Sequence, residues 1–177
     1  RIVAWKDIPV GVTVPRKAVL ELIGVTRSGV YKKIDEKPIS GVTKLGNSSE
    51  PEFQDSWRTE VAAYELAKLI GLGMVPATVE RIVDGKHGSM QLWVDSVMDE
   101  GKRQSTKAEA PDPEAFKQQM ATLRVWDQLI YNTDRNQGNI LITADWQVRA
   151  IDHSRTFRPF AQLPNSKVLT RFSRSML

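Results

Sequence analysis

The sequence predicts an α+β fold in two parts, a β-rich N-terminal half carrying one helix and a C-terminal part built from a helix and a hairpin. Three observations predict it. Short β-prone runs broken by turn residues fill residues 1 to 45, apolar residues recur at helical spacing over 57–70 and 113–130, and two strand–turn–strand patterns lie at 74–94 and 140–151.

Each element has a local reason. Val12-Thr13-Val14, Ala18-Val19-Leu20-Glu21-Leu22 and Gly29-Val30-Tyr31-Lys32 are separated by Gly11, Pro15, Gly24 and Ser28, which is how a meander reads, and a polar stretch, 46–51, closes it. From Trp57 the period changes. Trp57, Val61 and Tyr64 with Ala62, Leu66, Leu69 and Ile70 repeat at helical spacing, with Asp55 or Ser56 as N-cap and Gly71 beyond the end. Met74–Val83 reads as a strand, Asp84-Gly85 as a tight turn and Gly88–Val94 as the returning strand. Residues 99–112 are polar and without period and read as a linker between an N-terminal lobe, 1–98, and a C-terminal part, 113–177. Asp112 as N-cap with Pro113 at the first helical position opens the second helix, with Phe116, Met120, Leu123, Trp126 or Asp127, and Ile130 on one stripe. A polar loop, 132–139, leads into a hairpin whose strands Ile140–Thr143 and Trp146–Ile151 flank Ala144-Asp145.

Composition excludes several classes. The chain has 177 residues, 41% of them hydrophobic, enough for a real core and unlike a disordered tail. With no Cys there is no disulfide framework, thiolate zinc site or cysteine nucleophile, and His87 and His153 are too few for a His-rich metal centre. No apolar run approaches the roughly 18 residues of a membrane helix, and the N-terminus lacks a signal-peptide plan, so a cytoplasmic protein is expected. The chain starts with Arg1 rather than Met and its Ser/Arg-rich end has no obvious stop, features expected of a fragment.

The chemistry concentrates in Asp134-Arg135-Asn136-Gln137-Gly138-Asn139, followed after the hairpin turn by Asp152-His153-Ser154. A carboxylate and a carboxamide five residues apart, ahead of a strand, and a second carboxylate where the partner strand ends can meet at one end of a hairpin. Such hard oxygen ligands suit Mg²⁺, which takes one or two carboxylates and fills its shell with water and phosphate. That is the ground plan of phosphoryl transfer.

Asp134-x-x-x-x-Asn139 followed by Asp152 has the spacing of the kinase catalytic loop and metal-binding Asp, but here Arg follows the first Asp. This form resembles the atypical kinases: phosphatidylinositol 3- and 4-kinases, HipA-like toxin kinases and secretory-pathway casein kinases. Glu60–Leu66, continuing through Leu69–Pro76, is similar to the helix-C segment of the last group. The resemblance spans roughly residues 10 to 160 and implies an atypical two-lobed kinase fold, ATP in the cleft, and a C-terminal lobe that is truncated. It implies Asp134 as catalytic base or hydroxyl-orienting group, Asn139 and Asp152 as ligands of Mg²⁺ (or Mn²⁺), and Glu60 as partner of a strand lysine that holds the nucleotide phosphates. Strand alternation lets only one of Lys32 and Lys33 face the cleft. Lys32 puts Val30 under the adenine, whereas Lys33 would put bulky Tyr31 there; Lys44 is the alternative. Gln91-Leu92-Trp93-Val94 stands where a kinase hinge presents backbone groups to adenine, and Gly11–Lys17 is the candidate lid over the phosphates.

The same residues have plainer readings one by one. The 134–139 segment is rich in turn formers, Glu60 fits a solvated first turn, Lys32 fits an edge strand, and Arg135 can anchor its own loop. Their order along the chain favours the kinase. Neither His is assigned to a site. Asn136 stands where many relatives have His, and His153-Ser154 replaces the Phe-Gly after the metal Asp, so no flipping switch is implied. The expected activity is ATP- and Mg²⁺-dependent transfer to a hydroxyl, a Ser/Thr of a protein substrate by resemblance. The alternatives are a pseudokinase or nucleotide-binding module and a small-molecule or lipid kinase.

Charge adds one expectation. The net charge is +4, yet residues 1–152 balance at −1, while 153–177 hold Arg155, Arg158, Lys167, Arg171 and Arg174 and no acid. A uniformly basic chain would point to nucleic acid. This distribution instead points to an acidic or phosphorylated partner at the 153–177 stretch.

Overall fold

The computed structural model describes residues 1–8, 15–36, 42–45 and 48–169, which fall into two units, Arg1–Trp93 and Val94–Leu177. The expected Val12–Val14 run and most of the Gly11–Lys17 lid lie outside the described residues. Strands β1 (Ile2–Asp7), β2 (Arg16–Leu22) and β3 (Val25–Lys32) form an antiparallel meander. Short pairs follow, β4 (Asp35–Glu36) with β7 (Asp55–Ser56) and β5 (Val42–Leu45) with β6 (Ser48–Pro51). Helix α1 (Trp57–Leu69) leads into the hairpin β8 (Thr78–Val83) and β9 (Lys86–Leu92), giving a five-stranded sheet in the order β1-β2-β3-β9-β8.

The turns follow backbone chemistry. Asp84 (φ +50°) and Gly85 (φ +71°) make the predicted two-residue turn between β8 and β9. The sheet registers place Lys17 beside Val30, Val30 beside Gln91, and Lys32 beside Ser89. The opposite face carries the small core of Ala18, Tyr31 and Met90, packed by Ile2, Trp5, Leu20 and Val83. Lys32 therefore lies on the face away from Tyr31, as alternation requires.

Helix α1 is capped as predicted. The Ser56 side chain accepts from the Arg58 N–H, and Gly71 has φ +71° just past the end. Its buried face differs from the expected stripe: Trp57, Thr59, Glu60, Ala63 and Ala67 are buried, while Leu69 is 82% and Ile70 52% exposed. The two alanines leave no bulk between helix and sheet, and a charged residue, Glu60, is buried beside them.

In the second unit, β10 (Ser96–Asp99), β11 (Ile140–Thr143) and β12 (Val148–Ala150) form an antiparallel sheet in that order. The expected linker 99–112 is corrected in part, because α2 (Glu100–Thr106) occupies half of it. Its determinants are caps and charge rather than apolar period. Asp99 caps the Lys102 N–H at 2.7 Å, Lys107 closes the helix at φ +54°, and Arg103 grips the buried Glu100 through two bonds of 2.7 and 2.8 Å. Helix α3 (Pro113–Leu129) starts at the predicted cap, with Asp112 accepting from the Ala115 N–H at 3.0 Å. It is tied to β12 through Gln119, whose side chain accepts from the Val148 N–H and donates to the Trp146 carbonyl. Leu123, Trp126, Ile130, Ile142, Val148 and Ala150 are the core between them.

Two predictions follow from this packing. A Cβ at Gly88 would collide with the Lys32 carbonyl and the Tyr31 ring. Gly88→Ala should therefore cost about 1–3 kcal/mol in urea unfolding, whereas alanine at Gly73, where a Cβ meets nothing within 4 Å, should be nearly silent. The hydrogen bond from Arg103 holds the Glu100 carboxyl below its ordinary range, against the opposing effect of burial. A depressed folded pKa means this stability is complete above the unfolded value and is lost as pH falls through the folded one. Glu100→Gln should flatten that acid limb of a stability-against-pH curve.

Candidate active site

In the first unit the decisive contact is Lys32 Nζ to Glu60 Oε1 at 2.6 Å, with side chains only 13% and 2% exposed. Strand β3 and helix α1 bring together two residues 28 apart in sequence. Of the competing lysines, Lys33 faces the other way and lines a small pocket with Arg16, Tyr31, Val83, Asp84 and Lys86. The side chain of Lys44 lies outside the described residues.

The 91–94 segment is more committed than a hinge reading assumes. Gln91 is buried and donates its side-chain amide to Thr78 Oγ1 at 2.9 Å. The Leu92 N–H donates to the Ala77 carbonyl at 2.7 Å, the Trp93 N–H to Ser28 at 2.9 Å, and the Val94 carbonyl accepts from Ser96 at 3.0 Å. Lys17 lies over the Trp93 ring, 3.6 Å from its centroid. Two backbone donors of the segment are thus spent inside the sheet.

In the second unit, α3 ends at Leu129 and the chain turns sharply through Tyr131 at φ +52°. Asn132, buried, donates to Asp127 Oδ1 at 2.9 Å and accepts from the Asp134 N–H at 3.0 Å. Arg135 then spends every guanidinium nitrogen. Nε and Nη2 contact the Asp127 carboxylate at 3.1–3.2 Å, Nη1 donates to the carbonyls of Asn139 (3.1 Å) and Ile151 (2.5 Å), and Nη2 reaches His153 Nε2 at 3.0 Å. The Trp126 indole N–H also donates to that Nε2, at 3.2 Å. Neither Arg nor Trp can accept, so Nε2 of the fully buried His153 is unprotonated.

These bonds place the predicted metal ligands. The Ile151 N–H donates to the Asn139 carbonyl at 3.1 Å, continuing the β11–β12 register in which Ile140 faces Ala150, so Asn139 and Asp152 stand at the same end of the hairpin. Asp152 takes φ +60°, a conformation Asp tolerates better than most residues, and accepts from Ser154 Oγ at 3.2 Å. The Asn139 amide nitrogen donates to the Asp134 carbonyl at 3.4 Å, which assigns its oxygen to the other side. One carboxamide oxygen and one carboxylate form a hard donor set that fits Mg²⁺. Among the described residues no three His, Cys, Asp or Glu side chains cluster, so a cation here would rely on water and phosphate for the remainder. The Asp134 carboxylate itself meets Arg155 Nη1 at 3.1 Å.

The structure thus brings Lys32 to Glu60, and Asp134, Asn139 and Asp152 to one loop-and-hairpin end. Sequence reasoning missed Asp127, His153 and Arg155. Asp127 was legible only as a carboxylate on the apolar stripe of α3. Arg155 carried the signal of standing three residues after Asp152.

A family model described as phosphatidylinositol 3- and 4-kinase matches residues 25–174, most of the chain. The chain belongs to the phosphatidylinositol 3- and 4-kinase family. A comparison with curated proteins finds no match. Membership makes this a kinase-type phosphotransferase domain, and the family uses ATP. The matched span includes Lys32, Glu60, Asp134, Asn139 and Asp152. No helix among the described residues is long and apolar enough to cross a membrane.

The Asp127–Arg135 pair, each side chain 10% exposed, predicts a sharp stability effect. Asp127→Asn leaves a buried guanidinium short of its counter-charge and should cost about 3–5 kcal/mol. Arg135→Lys should cost nearly as much, because one ammonium cannot span a carboxylate, two carbonyls and an imidazole. Urea unfolding monitored by Trp fluorescence measures both.

Proposed function

We propose that the chain is an ATP- and Mg²⁺-dependent phosphotransferase acting on a hydroxyl, most specifically a Ser/Thr hydroxyl of a protein. The observation that carries the phosphotransferase reading is the Lys32–Glu60 ion pair. Taking both charges out of water costs several kcal/mol per ion, so a nearly closed ammonium–carboxylate pair adds little stability over an apolar pair, and its presence points to a role for the charge. A lysine held by a helix glutamate is the way kinases aim an ammonium at nucleotide phosphates.

Asp134 orients the acceptor hydroxyl, and Asn139 with Asp152 would hold Mg²⁺. When bound, that ion neutralises charge on the β- and γ-phosphates. In the transfer the hydroxyl oxygen forms a bond to the γ-phosphorus, the bond from that phosphorus to the β–γ bridging oxygen breaks, ADP leaves, and the hydroxyl proton passes by way of Asp134 to solvent. The protein acceptor rests on the similarity of the 60–76 segment to the secretory-pathway casein kinases. The basic stretch after Asp152 suits an acidic or phosphorylated partner. Because Arg155 pairs with Asp134 and Arg158 is buried, that role falls to Lys167, Arg171 and Arg174, and binding should weaken as salt rises.

The test uses radiolabelled ATP with Mg²⁺, offered in parallel to acidic Ser/Thr peptides and to phosphatidylinositol vesicles. Transfer to peptide supports the protein acceptor, transfer to lipid alone replaces it with a lipid one, and nucleotide binding with no transfer makes the domain a pseudokinase. Asp134→Ala and Asp152→Ala should each lower transfer by at least about 100-fold with folding retained. Lys32→Met alone should lose activity and stability. Lys32→Met with Glu60→Leu should recover the stability and remain inactive, since an apolar pair often replaces a buried ion pair without loss. Recovered activity in that double variant would remove the lysine from the mechanism.

A further inference from the structure

We infer that Arg155 is a positioning residue for phosphoryl transfer, setting the rotamer of the Asp134 carboxylate from a turn that is part of the metal-ligand loop. The inference rests on the phosphotransferase reading of Asp134.

The backbone of Asp134 is already fixed from both sides. Its N–H donates to Asn132 Oδ1 at 3.0 Å, and its carbonyl accepts from the Asn139 side chain at 3.4 Å. What these bonds leave open is rotation of the side chain. Arg155 Nη1 engages Asp134 Oδ2 at 3.1 Å, with Arg155 20% and Asp134 36% exposed. A pair dangling in water would contribute almost nothing, but this guanidinium is carried by an anchored turn.

The anchoring is dense. Ser154 and Thr156, on either side of Arg155, are 3% and 0% exposed. Thr156 Oγ1 donates to the His153 carbonyl at 2.7 Å, and the Phe157 N–H donates to the Ile130 carbonyl at 2.6 Å. Asp152 (φ +60°) and Phe157 (φ +57°) bracket the turn in left-handed conformations, which persist where surrounding contacts hold them. Arg155 therefore starts from a backbone as well fixed as that of Asp134. One turn carries both Asp152 and the guanidinium that aims Asp134, so the hydroxyl-orienting group and the metal ligand share a mechanical origin. In a loose transition state the enzyme contributes position and charge placement rather than strong base chemistry, so fixing one carboxylate rotamer bears directly on rate.

The experiment is a double-mutant cycle on the intact chain, with kcat and KM measured for peptide and ATP and single-turnover assays for the slowest variants. Arg155→Ala should lower kcat about 10- to 100-fold, the size expected for one charge-assisted contact, with KM for ATP unchanged. Arg155→Lys should recover part of the loss. In an Asp134→Ala background, Arg155→Ala should produce no further slowing, because the residue it acts through is gone. Thermal unfolding of each variant checks the fold, and a merely structural Arg155 would slow the Asp134→Ala enzyme by the same factor as wild type. That equal slowing, or a wild-type kcat in Arg155→Ala, overturns the inference while leaving the phosphotransferase reading in place. Absence of transfer by the wild type to peptide, lipid or water overturns both.

Discussion

The second unit depends on a single guanidinium. Arg135 joins the end of helix α3 through Asp127, the start of the hairpin through the Asn139 carbonyl, the end of the hairpin through the Ile151 carbonyl, and the following turn through His153. Buried without those partners, the charge would be among the most expensive groups in the protein. Satisfied by all of them, it fixes four chain segments at once. The left-handed residues Tyr131 and Asp152 stand next to two of these segments, and backbone strain of that kind survives where the surroundings over-determine it. The neutral state of His153 Nε2 follows from the same atom, since it receives donors from both Arg135 and Trp126.

The first unit solves a different problem with the two faces of one sheet. One face packs Ala18, Tyr31 and Met90 into a small apolar core. The other carries Lys32, while Gly88, on the Tyr31 face of the neighbouring strand, leaves room where a Cβ would strike the Tyr31 ring and the Lys32 carbonyl. Because successive side chains alternate, placing Tyr31 in the core sends Lys32 toward Glu60 and leaves Lys33 by the outer pocket. Which of the adjacent lysines meets Glu60 is thus set by where the aromatic ring goes.

What the sequence could reveal was local. Apolar period marked α1 and α3, short polar side chains marked their caps at Ser56 and Asp112, and Asp84-Gly85 marked the turn between β8 and β9. The Lys32–Glu60 pair was legible because family order and strand parity both pointed to it. Helix α2 escaped because its determinants are a cap and a buried Glu–Arg pair, features without an apolar period. The buried face of α1 escaped because it rests on small residues, Thr59, Ala63 and Ala67, which carry less apolar signal than the exposed Leu69 and Ile70. Asp127, His153 and Arg155 escaped for a related reason: their partners lie 8, 18 and 21 residues away, and no short-range pattern encodes such pairings.

Two of the buried ion pairs differ in what they hold. Asp127–Arg135 is embedded in backbone: three of its contacts go to the carboxylate and two to main-chain carbonyls, so the pair sets where the chain runs. Lys32–Glu60 is a contact of side chain with side chain between a strand and a helix whose secondary structure is complete without it. An apolar pair could fill that space at no loss of stability, as it could not replace a fork that bridges two carbonyls. An ammonium is compact and strongly hydrated, so holding one in a nearly closed position against a helix carboxylate is charge placement rather than packing.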